Sequence, residues 1–137
     1  MTGVQTCAFR SHTRSELTYQ EDGVPAFSFV NTCKREYYRI SKQVIADPKR
    51  NCILQKVKFE ALRGEAADYK VYALLAPHIN NGGWGNTAWV TDGVLYAHKE
   101  GVTLAMMASV PFTNSSVGYV GASDSWQDVS QDRKSVV

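Results

Sequence analysis

Three tryptophans and three histidines are the side chains best suited to chemistry in this 137-residue chain. Trp84 lies in the run Gly82-Gly-Trp-Gly85, so its flat ring can stand clear of neighbouring side chains. Such a ring can stack on a sugar face or pack against another domain. Trp126 lies between Asp124 and Asp128, an acidic and aromatic loop that can face a saccharide or simply bond nearby backbone amides. His78 follows an apolar run and offers an imidazole for acid or base work. That role needs a carboxylate partner, and no spacing in the chain supplies one. His98, in Tyr96-Ala-His-Lys-Glu100, is expected to face solvent, and Trp89, at a strand start, to join the core.

Other chemistry finds less support. Cys33 and Cys52 flank one predicted strand without a C-x-x-C spacing or clustered histidines, which argues against zinc; two thiols are expected, with a disulfide the alternative in an oxidising compartment. Aspartates and asparagines show no regular oxygen-ligand spacing of a calcium loop. The glycines around Trp84 open no helix, so they form no phosphate cradle. The basic pairs Lys34-Arg35 and Lys49-Arg50 read as wet turns.

These residues need strands to hold them. Val24–Val30 is a predicted strand, and Glu36–Ala46 a second, with Tyr38, Ile40, Lys42 and Val44 on one face until Asp47-Pro48 stops it. Cys52–Leu62 alternates most clearly: Ile53, Gln55, Val57, Phe59 and Ala61 face one way, Lys56, Lys58 and Glu60 the other. Tyr69–Pro77 is nearly continuous apolar and reads as a central strand. His78–Asn86 must be a loop, since its asparagines and glycines favour turns and positive φ. Asp92-Gly93 marks a hairpin. Strands are expected at Val94–His98, Val102–Val110 and Val117–Val120. No segment has helical periodicity, so the expectation is a single all-β, antiparallel two-sheet domain.

The ends read differently. Met1–Ser11 has neither periodicity and resembles the translation of a sequencing adapter. Asp132–Val137 resembles the opposite adapter read in frame. The domain is therefore expected over residues 12–131. Setting the ends aside leaves twelve basic and twelve acidic residues, so the apparent net charge of +2 gives no reason to expect a nucleic-acid or membrane partner. No apolar run approaches the ~20 residues of a membrane span.

Four stretches carry a resemblance: Tyr38-Arg-Ile-Ser-Lys-Gln-Val-Ile-Ala-Asp-Pro48, Tyr72-Ala-Leu-Leu-Ala-Pro-His78, Gly82-Gly-Trp-Gly-Asn-Thr-Ala-Trp-Val90 and Tyr119-Val-Gly-Ala-Ser-Asp-Ser-Trp-Gln-Asp128. In this order they resemble the N-terminal domain of bacterial glucoamylases and glucodextranases, in glycoside hydrolase family 15. One departure is Ser125, where that family has glycine.

The resemblance implies a galactose mutarotase-like super-sandwich, here incomplete, packed on a separate catalytic (α/α) barrel of the same parent chain. That barrel cuts α-glucosidic bonds of an α-glucan or oligosaccharide, and it owns both carboxylates that hydrolysis with inversion needs. It also implies that the chain is not an enzyme by itself; the candidates for contacts to substrate or barrel are Trp84, unless it caps the core, and Trp126, Asp124, Asp128 and His78. No cofactor is identifiable, with calcium in the parent left open, as is export. Two other uses are a carbohydrate-binding module built on Trp84 and Trp126, and a mutarotase-like epimerase built on His78.

Overall fold

The computed structural model describes residues 12–119, 121–123 and 127, and the backbone of 135–136. They divide into two compact units, the second beginning at Ala73. The chain is all-β with two antiparallel sheets, the class expected. Among the described residues, no helix is long and apolar enough to cross a membrane.

The first unit holds a four-stranded meander: β1 (Thr13–Tyr19), β2 (Ala26–Cys33), β3 (Tyr38–Ala46) and β4 (Ile53–Ala61), ordered as in sequence. Register follows the pleat. Lys42 sits between Phe29 and Val57, and Ile40 between Asn31 and Phe59. The faces assigned to β3 and β4 by alternation are therefore shared faces of one sheet. At the β3–β4 turn, Asp47 Oδ1 accepts the Lys49 N–H at 2.8 Å, and the Asp47 N–H donates to Cys52 O at 3.0 Å. Cys33 is buried and Cys52 exposed, and the two form no disulfide with each other.

One end of the sheet carries the core. Cys33, Tyr38 and Ile40 are buried there, with Tyr37, Phe59 and Tyr69 packed against them. Tyr38 and Phe59 stack with centroids 6.0 Å apart, and Tyr69 closes on Phe59 at 5.2 Å. Each such pair adds roughly 0.5–1.5 kcal/mol beyond area burial. The Tyr69 hydroxyl also reaches two backbone carbonyls, Arg63 O at 2.7 Å and Tyr37 O at 3.0 Å. Its single proton is shared, with the shorter bond going to Arg63. Tyr37 O receives the N–H groups of Leu62 and Arg63 as well, so one phenol ties the exit of β4 to the entry of β3.

The other end of the same face stays open. Tyr19 meets Phe27 edge-on at 5.4 Å, yet Tyr19, Leu17, Ile53 and Val57 are all more than half exposed.

Several segments differ from expectation. β1 is a strand that the sequence did not announce, because its residues are mostly polar and its apolar positions are Leu17 and Tyr19 alone. The apolar run Tyr69–Pro77 is not a central strand. Only β5 (Lys70–Val71) pairs, in parallel, with β9 (Ser135–Val136), which lies in the stretch expected to be adapter-derived. Hydrophobicity alone cannot supply a ladder, and residues 72–78 find none. The strand expected over Val102–Val110 ends at Met106, and no strand forms in 117–119.

The second unit holds β6 (Thr87–Thr91), β7 (Val94–Lys99) and β8 (Val102–Met106). Two-residue turns join them. Asp92 and Gly93 take φ of 51° and 75°, Glu100 and Gly101 of 49° and 81°. Positive φ at both central residues is the twist that suits a tight hairpin.

Two measurements follow. Tyr69→Phe removes the shared proton and is expected to cost about 1–2 kcal/mol in urea unfolding followed by far-ultraviolet circular dichroism; an unchanged midpoint would show that the phenol holds nothing. Burial first, and then the Asp68 carboxylate, raises the Tyr69 phenol above its ordinary 10.0. The unfolded chain thus ionises this group first. Its stabilisation is whole below pH 10 and is lost as pH rises through the folded value, so Tyr69→Phe should lose less stability on the alkaline side than the native chain.

The open face gives a further expectation. Exposed apolar patches drive association, so the double change Leu17→Thr with Val57→Glu, which sets a carboxylate beside Lys42, should shift sedimentation toward monomer. Identical sedimentation of both proteins would remove this face as the cause.

Candidate functional site

The loop 78–86 is the most organised irregular segment of the second unit. It begins with a one-turn 3-10 helix, Ile79–Asn81, with His78 at the N-cap position but making no side-chain capping bond. Ile79 is its buried anchor, and the turn rests against β7. Asn80 and Asn81 both adopt φ 55°, a left-handed conformation that asparagine accepts more readily than most residues. The Asn80 side-chain amide then donates to Glu100 Oε2 at 3.0 Å.

Asn86 closes the loop from within. Its Nδ2 donates toward the carbonyls of Pro77 and Gly82 at 3.3 Å and of Gly83 at 3.1 Å. Three acceptors around one amide nitrogen fix which way the side chain faces, since Oδ1 there would meet only other oxygens. Asn86 Oδ1 points the opposite way, buried and without a hydrogen bond among the described residues.

The loop presents Trp84. It is 91% exposed, with Gly83 and Gly85 on either side. His78 Nδ1 lies 3.1 Å from Ala76 O; because a carbonyl only accepts, Nδ1 is the donor, and in the neutral ring Nε2 is left as an acceptor. That imidazole edge lies against Gly83, where an added Cβ would stand 3.4 Å from Nε2. Lys99 arrives from the end of β7. Its Nζ would be 2.7 Å from a Cβ at Gly82, and its Cε 3.9 Å from one at Gly85. The ammonium makes no hydrogen bond or ion pair among the described residues.

The structure therefore brings together two residues singled out from sequence, Trp84 and His78, and adds Lys99 and Asn86, which sequence reasoning missed. Lysine at a strand end and asparagine before a strand carry no local signal. Asp124, Trp126 and Asp128 lie outside the described residues. Trp89 corrects an expectation: it is 38% exposed rather than core, stacked on Tyr96 across the β6–β7 pair with centroids 5.2 Å apart and planes 11° from parallel. His98 is half-buried rather than solvent-facing, and its Nδ1 pairs with Thr103 Oγ1 at 2.9 Å. Among the described residues no three histidines, cysteines or carboxylates gather at one point.

The described carboxylates that make polar contacts are used locally. Glu60 pairs with Arg39 at 3.6 Å and with Lys58 at 3.9 Å, and Asp47 with Arg50 at 3.4 Å. Asp68 accepts the Glu65 N–H at 2.9 Å, and Glu100 holds Asn80.

Comparison with known proteins agrees with this picture. A glucoamylase from Clostridium sp. (strain G0005) is 35% identical over 126 residues, covering 89% of this chain and 18% of that protein. A crystal structure of a bacterial glucoamylase complexed with acarbose matches with a TM-score of 0.78 at 30% identity, covering 89% of this chain and 19% of that one. The chain thus spans less than a fifth of either relative. The family described as glucodextranase, domain N, matches residues 4–135, nearly the whole sequence, and the chain belongs to that family.

Proposed function

We propose that the chain is a non-catalytic N-terminal accessory domain of an α-glucoside-hydrolysing enzyme of glucoamylase or glucodextranase type. In this reading it packs on the parent's (α/α) barrel and helps shape the substrate cleft. One observation carries it: two glucoamylases match this chain over 89% of its length but contribute under a fifth of their own. The use of Asp47, Glu60, Asp68 and Glu100 in ion pairs and turns supports a structural role for these four. The preformed Trp84 loop is the feature best suited to meeting a substrate or a neighbouring domain. A carbohydrate-binding role is the second reading, favoured by the exposure of Trp84.

The test is a chimaera in which this chain replaces the matching segment of the Clostridium glucoamylase. It should be soluble and hydrolyse soluble starch, whereas deleting the segment should abolish soluble, active enzyme. Full activity after deletion would overturn the accessory role. Hydrolysis of maltose, isomaltose or starch by the 137-residue chain alone would overturn its non-catalytic character. The adapter origin of Met1–Ser11 and Asp132–Val137 is part of the same proposal, and genomic sequence that encodes both segments in place would refute it.

A further inference from the structure

We propose that loop 78–86 is itself a contact site for a neutral α-glucan: a pyranose ring stacks on Trp84 while Lys99 Nζ and His78 Nε2 bond its hydroxyls. The choice of ligand rests on the function proposed above; the site rests on geometry. Trp84 stands between Gly83 and Gly85; the His78 imidazole meets the loop at Gly83 and the Lys99 ammonium at Gly82. The imidazole lies against Gly83, and the lysine stem crosses Gly82 and Gly85. The glycines next to a flat apolar ring thus meet an acceptor, His78 Nε2, and a donor, Lys99 Nζ.

The surroundings favour a polyol over a protein surface. Protein hot spots place an aromatic anchor within a ring of near-neutral contacts that exclude water. Trp84 has glycines, asparagines, an imidazole and an ammonium around it, and the nearby apolar residue Ile79 is buried beneath the loop. A sugar offers what this arrangement takes: a flat C–H face for the indole and hydroxyls that both accept and donate. Among the described residues Lys99 pairs with no carboxylate, and an ammonium offers three donors to hydroxyl oxygens. The loop is also held in advance, by Asn86 on three carbonyls and Asn80 on Glu100. Preorganisation of this kind lowers the entropic cost of binding.

The 137-residue chain, and in parallel the chimaera, would be titrated with maltoheptaose by calorimetry and tryptophan fluorescence. Saturable binding with a Kd of about 1 mM is expected, as befits a site with one aromatic platform. Trp84→Ala should weaken it by about tenfold or more, Lys99→Met by a smaller factor, and Trp84→Phe should keep most of it. Because the indole is exposed, Trp84→Ala should leave the melting temperature unchanged. No saturation by roughly 20 mM in the folded chain and the chimaera would overturn the proposal, as would equal binding by Trp84→Ala.

One result separates the alternatives. If Trp84→Ala lowers the melting temperature of the chimaera without changing binding, the loop is a domain contact and this inference fails. The accessory role would then stand.

Discussion

A shared proton on one phenol holds the best-packed part of this molecule. Tyr69 leaves the strand region, returns over Tyr38 and Phe59, and places its hydroxyl between the carbonyls of Arg63 and Tyr37. Backbone carbonyls at the end of a sheet must find donors or face water. Here the donor arrives on an aromatic ring that also buries apolar area, so one residue satisfies polar groups and seals the core. Around it Cys33, Tyr38 and Ile40 are buried, while the opposite end of the same face stays exposed. Order in the four-stranded sheet is therefore graded along the strands.

The second unit is ordered by different means. Few of its residues are buried, apart from Ala97 and Ile79, so shape comes from turn geometry and hydrogen bonds. Two hairpins with positive φ at both central residues set the register of β6, β7 and β8. Asn86 then draws the glycine loop onto itself through three carbonyls. A loop restrained in this way can expose a tryptophan without losing its conformation. That combination of a rigid backbone and an open ring gives the segment its interest for recognition.

How much was legible depended on whether the signal was local. Alternation in β3 and β4 is local, since successive side chains must point to opposite faces, and the faces assigned from it are those of the sheet. Asp92-Gly93 announced its turn because few residues accept positive φ. The polar strand β1 was hidden, since its residues all pair with β2 and none is buried. Tyr69–Pro77 misled for the converse reason, as an apolar run without ladder partners does not become a strand. Trp89 was read as core from its position, yet Tyr96 covers one face of the indole and much of the ring remains exposed.

By itself the sequence determined the all-β class, the main turns, the family and the presence of an aromatic residue in a glycine-asparagine loop. Each follows from residue type and short-range geometry, or from motifs that persist as strings. Only the tertiary structure decided that Tyr69 bridges two carbonyls, that Asn86 gathers three, and that Lys99 reaches the residues beside Trp84. Those pairings join positions separated by up to 32 residues. Side-chain reach across strands is set by register and twist, which no single segment encodes.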